Sequence, residues 1–332
     1  MAKATYLKKG ATPTMGETFL AVWDKMLNET LDQFFRDYPW LAWLKERKDT
    51  TYAAGAEQIQ MRALTGENPN GGWLDWEESV PMDDFDPFDG LLYYWKLCGY
   101  GTRHSFYQKR TIRGDTKQFN SHEEKRQATI STIQKLLSEG SHRGSGGTGK
   151  QMDGLTRLIP ATASASQTVV IGNQSPATKA WWRTQYVNMT GFAAASDLEN
   201  KMLELWDLIR VPGGKVDVIV CDIATRQIYE KNQVDFIVTS DVKIADNNYE
   251  LCKYKRKPII DDSDAEPEEL RMIDNRAIKW CVDPEYYFRW TGDKQIPDVM
   301  FSSVNQIAVV GNMVRKSARW LGCLDNITED GS

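Results

Sequence analysis

Large apolar residues recur near i, i+4 and i+7 early in the chain: Phe19, Trp23, Met26, Leu27, Leu31, Phe34 and Phe35, with acidic residues between them. That spacing predicts an amphipathic helix over residues 17–37. Tyr38-Pro39 ends it, because the residue before a proline is pushed out of the α region. Leu41 to Lys48 reads as a further short turn. From residue 49 the period changes to two: Ile59, Met61 and Ala63 alternate with Glu57, Gln60 and Arg62, the pattern of a strand. A stretch broken by Pro69, Gly71, Gly72, Pro81 and Pro87 follows, then the aromatic run LLYYWKLCGYGTRHSFYQ. Residues 49–113 therefore read as one long two-stranded excursion.

The helical period returns over residues 121–139, with Ile130, Ile133, Leu136 and Leu137 as the stripe, Ser121 and Glu124 as a capping box, and Gly140 as a stop. GSHRGSGGTGK reads as a flexible linker and an internal boundary. Beyond it VVIG (169–172) predicts a strand. A second capped helix spans 196–210, with Ser196 and Glu199 as its box and Leu198, Met202, Leu205, Trp206 and Ile209 as its stripe. KVDVIVCD predicts a buried strand and then a helix through Ile228. FIVTSDVKI and YELCKYKRKPII predict strands about a turn at 246–248, and DDSDAEPEE (261–269) an exposed loop. RAIKWCV, EYYFRW and the paired runs of QIAVVGNMVRKSARWLGCL complete the strands. The class is mixed α+β.

Length and charge narrow the function. The 332 residues suit about two domains at roughly 150 each, or one elaborate one. A formal net charge of −5 excludes a polybasic nucleic-acid binder. No run approaches the ~20 apolar residues of a membrane span, and MAKATYLKKG does not lead into the apolar stretch of a signal peptide. The five cysteines (Cys98, Cys221, Cys252, Cys281, Cys323) are scattered without a C-x-x-C pair, which excludes a zinc ribbon and points to reduced thiols. His104, His122 and His142 lie near a strand end, in a first helical turn and in the linker, without an evident base or nucleophile partner.

Charge is unevenly spread. Between Gly66 and Gly90 stand eight acids (Glu67, Asp75, Glu77, Glu78, Asp83, Asp84, Asp86, Asp89) and no Lys or Arg. From Leu91 to Lys117 the sign flips, with Lys96, Arg103, Lys109, Arg110, Arg113 and Lys117 against Asp115 alone. This reads either as a solvated loop or as one side of a complementary intersubunit contact. Trp73, Trp76, Trp95, Trp181 and Trp182 fall outside any regular core period, as interface anchors do, whereas Trp23 and Trp206 sit on helix stripes. DDFDPFDG spaces its carboxylates poorly for calcium, so no metal site is expected. Gly144 to Lys150 matches G-x-x-x-x-G-K, and VIVCD ends in Asp222 like a magnesium-binding strand. Against a phosphate loop, Gln151 stands where a hydroxyl should be, a helix end precedes the motif, and Gly154 and Pro160 follow it. No catalytic constellation and no cofactor site emerge.

The order of elements resembles the major capsid (coat) proteins of tailed bacteriophages, a fold shared with herpesvirus shell floors and encapsulins. DGLTRLIP (153–160) with NQSPATKAWWRTQ (173–185), KVDVIVCDIATRQIY (215–229), KRKPIIDD (255–262), ELRMIDNRAIKW (269–280) and GNMVRKSARWLGCLDNI (311–327) carry the resemblance. It implies an N-terminal arm at 1–48, an extended loop at 49–113, a peripheral-domain spine helix and glycine linker at 114–150, an axial domain at 151–295 and peripheral return strands at 296–332. It also implies a structural protein rather than an enzyme, assembling in the host cytoplasm into hexamers and pentamers of an icosahedral shell around double-stranded DNA. Its partners would be its own copies, a separate scaffolding protein, a portal protein and a decoration protein. An encapsulin-like compartment and, distantly, a P-loop NTPase using Lys150 and Asp222 are the alternatives. Asp75, Glu77, Glu78, Asp83, Asp84, Asp86, Asp89, Trp73, Trp76, Arg103, Lys109, Arg110 and Arg113 become candidate intersubunit residues, and Lys3, Lys8 and Lys9 candidate contacts to packaged DNA. No lysine lies between residues 49 and 95, so the lysine cross-link that some relatives make in this loop is not expected. Few residues precede the first predicted helix, so scaffolding is expected from a separate chain.

Overall fold

A computed structural model of the chain describes residues 38–50, 57–66, 70, 76, 79, 82–105, 121–232, 240–244, 247–290, 294–296 and 299–329. The predicted helix over 17–37 lies outside them, as do Lys3, Lys8, Lys9, Trp73, Asp75, Glu77, Glu78, Lys109, Arg110 and Arg113. Of the two units into which the chain divides, Met1–Asp37 and Tyr38–Ser332, the second holds every described residue.

The turn expected at Leu41–Lys48 is a helix, α1 (Pro39–Glu46). Pro39 occupies its first position, where a fixed φ is already helical and the absent N–H has no bond to lose. Trp40, Leu41, Trp43 and Leu44 are buried, and the two indoles stack at 4.9 Å. A short strand β1 (Lys48–Asp49) leads to β2 (Gln58–Leu64), which pairs antiparallel with β3 (Phe88–Tyr94). The register sets Ile59 opposite Tyr93 and Met61 opposite Leu91, all four buried. The aromatic run is not one strand. It breaks at Trp95, and β4 (Lys96–Ser105) leaves the hairpin to pair with a strand some 200 residues later.

Helix α2 (Ser121–Arg143) runs past its predicted stop. A Cβ at Gly140 would lie 3.2 Å from Met152, so this glycine permits close packing rather than ending the helix. Ile133 and Leu137 are buried and Leu136 is exposed. His142 is no linker residue: it sits in the last turn of α2, fully buried, with Nε2 3.2 Å from the buried carboxylate of Asp262. The run 261–269 is accordingly only partly a solvated loop. Arg143 holds it from the same turn, donating to the Ala265 carbonyl at 2.9 Å.

Helices α3 (Leu155–Leu158) and α4 (Ala163–Thr168) follow. The strand predicted at 169–172 is instead a tight turn, closed by the bridge of Ile171 to Gln174. After β5 (Gln185–Asn188) comes α5 (Ala194–Arg210), which buries Leu198, Met202, Leu205 and Ile209 as its period required. It lacks the predicted box. Ala193 is the N-cap, and the Ser196 hydroxyl donates to the Ala193 carbonyl and to Asp197. The chain continues through β6 (Val218–Cys221), α6 (Ile223–Asn232), the hairpin of β7 (Ser240–Ile244) and β8 (Asn247–Leu251), then β9 (Lys253–Tyr254) and β10 (Lys257–Asp261). ELRMI supplies an unpredicted buried strand, β11 (Leu270–Ile273), before β12 (Ile278–Val282). EYYFRW is mostly a 3-10 turn started by the Asp283 side chain, with only β13 (Arg289–Trp290) extended. The last strands are β14 (Lys294–Ile296), β15 (Val299–Arg315) and β16 (Leu321–Asp325).

Two six-stranded sheets result. β15 is the hub of the first, taking β12, β13 and β14 beside it and β4 as a further partner, with β1 outside β12. The second has the order β5-β16-β11-β6-β10-β9. The closing runs are therefore not a pair: β15 and β16 belong to different sheets, separated by a turn at Ala318. Asp325 ends β16, where it accepts from the Tyr186 hydroxyl and burial holds its carboxyl above the usual range. Such a group binds more protons folded than unfolded, so its contribution to stability improves as pH falls. Asp325→Asn is expected to raise Tm more at about pH 8 than at about pH 5. Equal shifts at both would contradict this.

Candidate assembly surface

The stem of the β2–β3 hairpin is fixed to the body by buried polar groups. The Tyr93 hydroxyl donates to the Arg315 carbonyl at 2.8 Å and accepts from the Arg315 amide at 3.2 Å. The Arg315 guanidinium, fully buried, lies 4.3 Å from the Trp182 ring and donates to the carbonyls of Leu158 (2.6 Å) and Trp182 (3.1 Å). Burial pulls its pKa down to about 10, which leaves it charged at neutral pH. Trp182 is thus core and not an interface anchor, its own Nε1 donating to Ile171. Trp181 and Trp95 are half-buried against the same core.

A second knot ties the stem to the glycine stretch. Asn312 donates to the Tyr94 carbonyl (2.9 Å) and to Asp153 (2.7 Å), and its amide oxygen accepts from the Asp153 backbone N–H. The other Asp153 oxygen accepts from the Gly147 N–H and pairs with Arg157, both at 2.9 Å. Lys96 donates to the carbonyls of Gly147 and Gly149. The expected flexible linker is therefore an ordered turn folded round a carboxylate, with Gly146 and Gly147 at φ +51° and +60° where a Cβ would be strained. This also argues against a phosphate loop. The N–H groups of Ser145, Gly147 and Gly149 are already taken by Gln151, Asp153 and Gly146. Asp153→Ala is expected to cost roughly 1–3 kcal/mol, seen as a lower denaturant midpoint at unchanged slope. An unchanged midpoint would remove the knot from the list of stabilising contacts.

Three further contacts hold the other side of the stem. Gln174 donates to the Gly90 carbonyl (2.6 Å), Leu92 to Gly172 (3.1 Å), and Lys179 pairs with Asp89 at 2.6 Å. Asp89 is thereby engaged within its own chain. Asp83, Asp84 and Asp86 make no ion pair among the described residues and are exposed, beside Met82 (90% exposed), Phe88 (51%) and, across the hairpin, Leu64 (72%). Trp76 is exposed as well, and Arg103 is exposed on β4. The geometry is a rigid stem carrying an acidic and apolar end.

A cleft of about 610 Å³ opens between α2 and β4. Leu97, Tyr100 and Leu136 line it with apolar surface that is partly exposed; Arg143, paired with Glu266, and Lys150 bring positive charge, and Glu139 and Asp264 negative charge. Among the described residues no cluster of three or more His, Cys, Asp or Glu could hold a metal, and no helix is long and apolar enough to cross a membrane. Sequence reasoning missed Tyr93, Asp153, Asn312 and Arg315. The one signal was a run, VVGNMVR, with polar residues set where a buried strand wants none.

No protein-family model matches the chain, and no curated protein does either. Solved structures do. The capsid of cyanophage A-1(L) aligns with 90% of this chain and 95% of its own at 13% identity and a TM-score of 0.64. The capsid of a native GTA particle aligns over 90% and 94% at 13% identity and a TM-score of 0.61. The chain has the tailed-phage capsid fold. The SrpI encapsulin of Synechococcus elongatus PCC 7942 shares it, over 94% and 96% at 10% identity and a TM-score of 0.54. The resemblance read from element order therefore holds for the fold as a whole.

Proposed function

We propose that the protein is a structural subunit, the major capsid protein of an icosahedral phage head, assembling as hexamers and pentamers around double-stranded DNA. The observation that carries this is the capsid fold over 90% of the chain, shared with shells from different phages and with that of a GTA particle. The hairpin supports it. An isolated two-stranded ribbon is marginal in water, and here its stem is clamped to the body while Met82, Asp83, Asp84, Asp86 and Phe88 are exposed. A neighbouring subunit laid against that end would remove the apolar surface from water.

On this reading residues 1–48 form the arm, 49–113 the extended loop, 114–150 the spine helix and glycine turn, and 151–295 the axial domain. The return segment 296–332 would serve both parts, β15 in the peripheral sheet, where β12 and β13 of the 151–295 segment join it, and β16 in the axial one. Asp83, Asp84 and Asp86 face a basic surface of the neighbour, with Asp75, Glu77, Glu78, Trp73 and Trp76 extending that contact. Arg103, Lys109, Arg110 and Arg113 belong to the receiving side. Lys3, Lys8 and Lys9 meet packaged DNA, and scaffolding, decoration and portal proteins complete the head. The encapsulin-like alternative rests on the SrpI match. Imaging of particles purified from the source, with nuclease digestion of their contents, tests the proposal. Protected double-stranded DNA is expected, and particles filled with a single cargo protein would favour the compartment.

A further inference from the structure

One end of the second sheet gathers cations that the chain's net charge of −5 conceals. The register sets Leu321 beside Ile273 and Ile273 beside Val218, and one residue further on Ile219 beside Ile259. Strands β16, β6 and β10 therefore start, and β11 stops, at the same end. The turns and connections there stand in a row from β16 to β9, four strand spacings or about 19 Å at ~4.8 Å each. The connection into β6 brings Arg210 and Lys215, the β9–β10 turn Lys255 and Arg256, and the turn before β16 Arg319, all exposed.

Three more cations of the row, Lys257, Arg276 and Lys316, are paired with Asp217, Asp274 and Asp49. Lys215 stands 3.9 Å from the same Asp217. Arg210, Lys255, Arg256 and Arg319 make no ion pair among the described residues. Asp207, exposed one turn earlier on α5, offsets one of these charges. At the opposite end of the same strands the acids are engaged within the chain: Asp261 with Arg226, Glu269 with Arg271, Asp262 beside His142 and Asp325 with Tyr186.

The β9–β10 turn holds its cations against the preference of the backbone. Tyr254 pairs with Lys257, leaving a two-residue loop in which Lys255 and Arg256 both lie at positive φ, +48° and +66°. Such a loop favours Asn-Gly, because a Cβ is strained there. Strain of this kind collects at functional positions. The row also offers little apolar anchorage. Arg276 covers the Trp320 ring at 4.5 Å, Lys255 lies 5.1 Å from the Trp206 ring, and Val211 is the one large apolar side chain exposed in these connections. A protein partner would want aromatic anchors at the centre of its contact. A phosphate backbone wants cations repeated along a line.

We propose that this row binds the phosphate backbone of duplex DNA without reading its sequence. Arg210, Lys255, Arg256 and Arg319 make the contacts, over about five or six base pairs at ~3.4 Å each. That this duplex is packaged DNA rests on the shell reading; the row would hold it on the folded body, apart from the arm lysines.

The test is the fluorescence anisotropy of a labelled duplex of about 20 base pairs, titrated with the full chain across a range of salt. Two row variants, Lys255→Asn with Arg256→Gly and Arg210→Gln with Arg319→Gln, are compared with an arm variant, Lys3→Gln, Lys8→Gln and Lys9→Gln together. Each row variant is expected to bind at least tenfold more weakly at about 0.1 M salt, with a log–log salt slope shallower by about two. The turn variant is expected to melt no lower than the parent, since Asn-Gly suits the loop. A parent that does not hold the duplex at low salt, or row variants with unchanged affinity and slope, would overturn the proposal. So would binding lost in the arm variant alone. Row variants that hold the duplex as the parent does but no longer form particles would assign the row to a protein contact, again overturning it. The shell reading fails separately, if the parent forms no particles whatever it does with the duplex.

Discussion

Reversing Asp83, Asp84 and Asp86 to lysine is expected to abolish shell assembly and to leave the isolated subunit folded. All three side chains are exposed, and none makes an ion pair among the described residues. Exposed substitutions of this kind usually move stability within ±0.5 kcal/mol. Only Asp86 has a local task, its carboxylate accepting from the Phe88 N–H at 3.1 Å. Assembly is a different matter. The change turns a patch of three negative charges into three positive ones, and like charges placed across an interface cost several kcal/mol. Repeated at every contact of a closed shell, that is enough to stop closure. Circular dichroism and thermal melting should show a folded monomer, and sedimentation should show the loss of particles. Normal particles from this variant would refute the acidic contact.

Arg315→Ala is expected to have the largest effect on the subunit itself, about 3–5 kcal/mol. Two buried carbonyls, Leu158 and Trp182, lose their donors, at ~1–3 kcal/mol each. The indole of Trp182 loses the guanidinium stacked 4.3 Å away. Arg315→Lys should recover little of this, because an ammonium cannot serve two carbonyls and a ring face in the plane of a fork. The expected fall in Tm is roughly 5–10 °C. The two bonds of the Tyr93 hydroxyl are to the Arg315 backbone and survive the substitution. A variant as stable as the parent would mean that the knot adds no stability.

The parts legible in the sequence were those with a local cause. The helix at 194–210 and the buried strand at 218–221 followed from apolar spacing alone, and the β2–β3 hairpin from its alternation. The break at Trp95 was not legible. Nothing in LLYYWKLCGYG marks it, because its cause is a partner strand at 302–311 that only the folded chain brings near. The glycine stretch misled for a related reason. Gly-Ser composition signals freedom, yet Lys96, Asp153 and Asn312 remove it from elsewhere in the chain. His142 and Trp182 were misplaced likewise, each buried by a long-range partner. Of the candidate surface, the charge pattern was plain in the sequence. That Asp89 is spent on Lys179, while Asp83, Asp84 and Asp86 stay exposed, needed the fold.

The central claim is that this chain builds shells, and its mass in solution tests that most directly. One chain is 37.9 kDa. Light scattering coupled to size exclusion, on the protein co-expressed with its neighbouring genes, should find capsomers of five or six copies or megadalton particles. A species that stays at the mass of one chain at every concentration, with no particles in the lysate, would contradict the account.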